Sequence, residues 1–313
     1  MGDAMSTPSI IFMGSPDFAV PALRALHETF GLTAIVSVPD KPAGRGRTLQ
    51  TSAVSKEAMS LGIPLLTPER LTDPEFIDQL SALHPDIIVV IAFRILPKEV
   101  YSLAKLGAFN IHGSLLPKYR GAAPIQWAII NGETETGLTA FLLNETVDTG
   151  NILAQKHIHI PDDMTSGELF TTLMNPAAEL AVSTCKDLLS GNAIALQQQH
   201  ELATPAPKLF RQTCKIDWRK SSKSILNLIR GANPKPGAWT MFNDKTLKIL
   251  KASIGDPSLK IHQSSFIINE HGFFIGTSDG NVSLLQIQEE GKAAMPVSDF
   301  LRGYRGLKEG MCS

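Results

Sequence analysis

Four short apolar runs, SIIFMG (9–14), LTAIVSV (32–38), DIIVVIAF (86–93) and GAFNIH (107–112), are each followed by a stretch with helical spacing. The companion stretches are PDFAVPALRALHE, SAVSKEAMSLG, LPKEVYSLA and APIQWAIINGE. A strand that is apolar throughout has no face to give to water, so both faces of the sheet need covering. Alternation of such strands with helices predicts a doubly wound, mostly parallel sheet with helices on either side. Ligands of such sheets sit beyond the carboxyl ends of the strands.

The remainder of the chain divides into two parts. TGLTAFLLN (136–144) reads as another strand, and ETVDTGNILAQKHIHI (145–160) as a turn and a further strand pair. SGELFTTLMNPAAELAVSTCKDLLSG reads as a long helix that Asn175-Pro176 is expected to kink or break. The polar, proline-bearing NAIALQQQHELATPAPKLF suits a linker. Beyond it lie a helix with a proline-rich stop, SILNLIRGANPKPGAW, and short alternating runs with turn pairs Asn243-Asp244 and Asp279-Gly280. Their even spacing predicts a small antiparallel barrel. The expected class is therefore α/β: a Rossmann-like N-terminal domain over residues 1–205 and an OB-like β-barrel over residues 206–313.

Charge follows the same division. Residues 1–205 carry 13 Lys+Arg against 21 Asp+Glu, net −8, whereas residues 206–313 carry 16 against 9, net +7. A basic second domain points to a polyanionic partner. Cys185, Cys214 and Cys312 lie far apart with no CxxC spacing, which argues against a disulfide framework or a structural zinc and for a reducing cytoplasm. His157 and His159 share a strand face without an acidic or cysteine partner at ligand spacing, so no metal is expected. No apolar run reaches the roughly 18 residues of a membrane span, and the start carries no secretory signal pattern.

The chemistry concentrates where one strand stops. In GAFNIHGSLLPKYRG, Asn110 and His112 stand two residues apart and so project to one face. Asp148, in the turn NETVDTGNIL, adds a carboxylate. Either member alone reads as a polar strand end or a turn aspartate. Together they suit acyl-type transfer without a covalent intermediate: Asn110 and a protonated His112 donate to a developing oxyanion, and Asp148 accepts a proton or holds His112 charged. No Ser or Cys occupies a nucleophile elbow, so direct attack by an incoming amine fits better. A plain dinucleotide-binding dehydrogenase is disfavoured because MGSPDF lacks the G-x-G-x-x-G phosphate loop.

Asn110-x-His112, SLLPKYRGAAP (114–124), Asp148-Thr-Gly, the opening FMGSPDFAVPAL and PDKPAGRGR (39–47) together resemble the folate-dependent formyltransferases over nearly the whole chain. The resemblance implies an enzyme with Asn110, His112 and Asp148 as its catalytic residues and Ser114, Leu115, Leu116 and Pro117 as its folate-contacting turn. It implies 10-formyltetrahydrofolate as co-substrate and, within the family, methionyl initiator tRNA as acceptor, formylated through a tetrahedral adduct at translation initiation. In PDKPAGRGR, Lys41, Arg45 and Arg47 are interleaved with Pro42, Gly44 and Gly46, a positive loop able to follow a phosphate backbone; it resembles the family's tRNA insertion loop. The chain is expected to act as a monomer. A sugar-nucleotide formyltransferase and a 10-formyltetrahydrofolate hydrolase share the same three side chains, and a non-catalytic RNA-binding module would not need them. Before Ile95-Leu96-Pro97, where the family has Tyr-Gly, this chain has Phe93-Arg94.

Overall fold

The computed structural model describes residues 7–43 and 48–312. It contains two compact units: one is formed by residues 1–121, 136–158 and 170–205, the other by residues 122–135, 159–169 and 206–313.

The first unit is built on a seven-stranded sheet. Its strands are β1 (Ile10–Gly14), β2 (Ala34–Val36), β5 (Leu65–Leu66), β6 (Ile87–Ile91), β7 (Gly107–His112), β8 (Glu135–Leu142) and β9 (Ile152–His159), in the order β5-β2-β1-β6-β7-β8-β9. Pairs from β5 to β7 are parallel, and β8 runs antiparallel to β7. Every residue of β1 and β6 is buried, as their unbroken apolar character demands. One sheet face presents Ile11, Met13, Ile88 and Val90 to Phe76, Leu80, Leu96 and Val100. The chain leaves β5 at one edge and re-enters at β6 on the far side of β1, so the connections reverse between β1 and β6. β7 lies directly beside β6, which sets its carboxyl end next to that switch point.

Local signals fix the helices around this sheet. α1 (Val20–Phe30) carries a proline in its first turn. α2 (Ala53–Leu61) is capped by the Ser52 hydroxyl, which accepts from the Ser55 amide, and is closed by Gly62 at φ 67°. α3 (Pro74–Ser81) is capped by Asp73, and α4 (Lys98–Tyr101) is a single turn. Two short strands, β3 (Lys41–Ala43) and β4 (Thr48–Gln50), pair antiparallel on either side of residues 44–47, and a bond from Thr51 Oγ1 to Asp40 Oδ2 (2.9 Å) ties their bases. The basic segment expected as a plain loop thus has a paired stem.

Three other expectations need correction. α6 (Ser166–Ser190) is not broken at Pro176 but continues through it. The buried stripe Leu173, Ala177, Leu180 and Ala181 offsets the amide that proline removes. The turn after β8 leads into one strand, β9, rather than a strand pair. The expected linker is also built into the first unit: Leu196 and Ile152 exchange both backbone hydrogen bonds at 2.8 Å, and the Arg120 amide donates to Thr204 O at 2.9 Å.

The second unit holds α5 (Pro124–Ile130), packed on α7 (Ser222–Gly231), and an antiparallel sheet with α8 (Val297–Gly303). Its strands are β10 (Ala238–Phe242), β11 (Lys245–Ile254), β12 (Ser265–Asn269), β13 (Gly272–Gly276), β14 (Asn281–Glu289), β15 (Met295–Pro296) and β16 (Glu309–Met311). Their order is β10-β11-β14-β13-β12-β16, with β15 on β14, the curled antiparallel arrangement anticipated for a small barrel. Asn243 and Asp244 both have positive φ, 49° and 58°, as a two-residue hairpin turn requires. Phe242, Phe266, Phe273 and Phe300 pack together at its core.

Candidate active site

β7 delivers Asn110 and His112 to one sheet face, and the register pairs them with Phe141 and Thr139 of β8. The intervening Ile111 faces the other way and is buried. His112 is itself buried, with its ring edge-on to Phe141 at 6.4 Å between centroids. Its Nε2 lies 2.8 Å from Tyr119 O. A carbonyl only accepts, so Nε2 carries the hydrogen, and Nδ1 is the nitrogen left for chemistry. Nδ1 faces the Asp148 carboxylate, with Oδ2 at 3.8 Å. The structure therefore brings Asn110, His112 and Asp148 together from two separate segments.

Asp148 sits at φ 57°, in the left-handed region that aspartate tolerates better than most residues. Its turn is bonded internally: Thr149 Oγ1 donates to Asn144 Oδ1 (3.0 Å) and Thr146 O (2.9 Å). Gly150 cannot be replaced freely, because a Cβ there would stand 1.6 Å from Leu142 O. The Gly121 amide donates to Asp148 Oδ2 at 2.8 Å, which leaves Oδ1 without a hydrogen bond among the described residues.

Asn110 is the other polar group with spare capacity. Its Oδ1 is buried and has no partner among the described residues. Buried amides are nearly always bonded, so an orphan beside a carboxylate–imidazole pair marks a place for a ligand group. Ser15, directly after β1, also carries an orphaned buried hydroxyl, and nothing in its sequence context marks it out.

The SLLP turn follows β7, with a cis Leu116–Pro117 bond. Ser114 is wholly buried and donates to Lys118 O (2.7 Å), while Leu116 is buried as well. Thr139 and Gln155 hold this turn. The Thr139 hydroxyl donates to Ser114 O (2.7 Å) and accepts from Leu116 N (3.0 Å) and Gln155 Nε2 (2.9 Å). Gln155 Nε2 also donates to Leu116 O at 2.9 Å. Of the four turn residues, Leu115 and Pro117 are the partly exposed ones.

Lys41 is exposed on β3, whereas Arg45 and Arg47 lie outside the described residues. Arg94 is turned to structural use: its guanidinium donates to Pro68 O (2.9 Å) and Glu69 O (3.0 Å) and lies 5.1 Å over the Phe93 ring, and burial lowers its pKa. The three cysteines are free and buried, with burial pushing the Cys312 thiol up to about 12. Among the described residues no helix is long and apolar enough to cross a membrane.

Comparison with known proteins agrees with this geometry. A family model described as formyl transferase matches residues 9–184, and one described as formyl transferase, C-terminal domain, matches residues 208–305. The chain is 42% identical to the methionyl-tRNA formyltransferase of Parabacteroides distasonis, covering 96% of this chain and 97% of that one. It is 43% identical to the methionyl-tRNA formyltransferase of Clostridium acetobutylicum, over 94% and 96% of the two chains. Among solved structures, an N-formyltransferase from Helicobacter canadensis in complex with folinic acid and dTDP-3-aminofucose superposes with a TM-score of 0.70 at 20% identity, covering 90% of this chain and 99% of that one. Matching profiles, full-length relatives and the amide–imidazole–carboxylate cluster at the end of β7 converge, and the chain belongs to the formyl transferase family.

Proposed function

We propose that this chain transfers the formyl group of 10-formyltetrahydrofolate to the free amino group of methionyl initiator tRNA, for translation initiation. The observation that carries the reading is the cluster itself: Asn110 and His112 on one strand face, with Asp148 3.8 Å from the imidazole. It stands in a chain with relatives of that name at 42% identity.

Asn110 Nδ2 is a donor suited to the formyl oxygen, which lies beside a carbon open to attack, and the orphaned Oδ1 is an acceptor suited to an N–H of the incoming amine. Bound there, 10-formyltetrahydrofolate supplies an activated formyl carbon. The residues divide the remaining work. Asn110 donates to the formyl oxygen as negative charge develops on it. His112 joins from Nδ1, since Nε2 is committed to Tyr119 O; to donate, Nδ1 must carry a proton, and Asp148 is the carboxylate that faces it. Such oxyanion donors are each worth about 3 kcal/mol of transition-state stabilisation. Asp148 takes the proton shed by the amine as its N–C bond forms, and returns it to the folate nitrogen as the old C–N bond breaks. The turn Ser114–Pro117 forms part of the ring-binding wall, with Leu115 and Pro117 the members that reach a ligand.

We assign the chemistry to residues 1–205 and tRNA bracing to residues 206–313, with the protein acting as a cytoplasmic monomer. Lys41, Arg45 and Arg47 follow the acceptor end, and the surplus positive charge of the C-terminal residues adds electrostatic grip. A sugar-nucleotide acceptor is the second reading; the solved sugar formyltransferases favour it through fold alone, at about 20% identity. Incubation with labelled formyl-folate and charged initiator tRNA, beside sugar-nucleotide and water controls, decides between them. Label on the methionyl amine alone supports the assignment; label on the sugar amine, or release as formate, refutes it.

A further inference from the structure

We propose that Gln198, braced by Arg120, is a positioning residue that holds Asp148 against His112. The proposal rests on Asp148 acting in formyl transfer as assigned above.

Gln198 is 4% exposed yet makes four hydrogen bonds, the full capacity of a carboxamide with two hydrogens and two lone pairs. Its Nε2 donates to Asp148 O (3.0 Å) and Gly150 O (2.7 Å). Its Oε1 accepts from Arg120 Nε (3.2 Å) and Nη2 (2.6 Å). Carbonyls only accept and a guanidinium only donates, so the amide orientation is fixed by its partners.

These bonds close a ring around the catalytic pair. Asp148 has a left-handed backbone at φ 57°, and Gln198 grips the two carbonyls that flank Thr149 in that turn. Arg120 stands between Tyr119, whose carbonyl holds His112 Nε2, and Gly121, whose amide holds Asp148 Oδ2. The Arg120 segment is anchored in turn by Thr204, which takes the Tyr119 amide on Oγ1 and the Arg120 amide on O, both at 2.9 Å. One buried amide therefore ties the turn that carries the carboxylate to the tripeptide that orients the imidazole. Neither Gln198 nor Arg120 is given contact with substrate; both act through Asp148 and His112. Misplacement of a reacting group by about 1 Å commonly costs about a hundredfold in rate.

Gln198→Glu separates positioning from mere packing. It keeps the shape and strengthens the pairing with Arg120, but it cannot donate to the two carbonyls. The expected result is a kcat for formyl transfer lower by about ten- to a hundredfold, with KM for both substrates nearly unchanged, in a protein that still folds but unfolds at a lower temperature because two buried carbonyls lose their donor. In a cycle with Asp148→Ala, the double variant should be no slower than Asp148→Ala alone, because Gln198 acts through that residue. Substrate-free hydrogen exchange at the Gly121 amide reads the carboxylate directly, and its protection should fall in Gln198→Glu. Wild-type kcat in Gln198→Glu, multiplying losses in the cycle, or unchanged Gly121 protection would each overturn the proposal. A wild-type enzyme that formylates nothing would instead overturn the assigned function, while the exchange measurement still tests the contact.

Discussion

Replacing Asn110 with Leu is expected to leave the fold at least as stable while removing most of the activity. Asn110 Oδ1 is buried without a partner among the described residues, so the folded protein bears a desolvation cost that no hydrogen bond there offsets. Such a group costs about 1–3 kcal/mol. Asn110 is only half-buried as a residue, so relief near the lower end, about 1 kcal/mol, is the appropriate figure. In a unit of this size that raises the unfolding temperature by about 2–4 °C. The same substitution deletes a donor to the developing oxyanion and should lower kcat by about 10²–10³. Urea and thermal unfolding of both proteins, with formyl transfer measured at saturating folate and tRNA, test the two halves together. Destabilisation by more than about 1 kcal/mol would show that the amide serves the fold, and retained kcat would remove it from the chemistry.

Other expectations follow from the site. Asp148→Ala should reduce formyl transfer to a small residual rate while tRNA affinity, read by filter binding, stays near wild type; equal loss of both would make Asp148 structural. Thr139→Val strands the Leu116 amide, takes one of two acceptors from Gln155 Nε2 and removes the hydrogen donated to Ser114 O, so it should cost about 2–3 kcal/mol in urea unfolding. It should also raise KM for formyl-folate more than it lowers kcat, and an unaltered KM would separate this turn from folate binding. Arg45→Ala should weaken use of tRNA more than use of folate and flatten the slope of log affinity against log salt by about 1; a matching loss with a free amine acceptor would contradict this.

The fold was legible wherever one interaction dominates. β1 and β6 are buried at every position, so composition alone announces them, and the period of a strand places Asn110 beside His112. Turn chemistry was equally direct at Asn243-Asp244. Legibility failed where distant contacts outweigh local preference. Pro176 breaks isolated helices, but a buried apolar stripe carries α6 through it. The run around Gln198 looks like a linker because its partners Arg120, Asp148 and Gly150 lie far back in the sequence, and a glutamine in a polar stretch gives no hint of its burial. Arg94 shows the converse. It stands out in the sequence as a charge where the resembled family has glycine, yet two backbone carbonyls of the preceding loop accept its hydrogen bonds.

Tyr119 holds the imidazole through a main-chain carbonyl, and Gly121 holds the carboxylate through a main-chain amide. Besides the Arg120 and Ser114 side chains, what this stretch must preserve is its span. The number of residues between the end of β7 and Gly121 sets where both tethers fall, so a single insertion there would shift the two anchor points at once. Drift in the intervening side chains would leave the spacing intact.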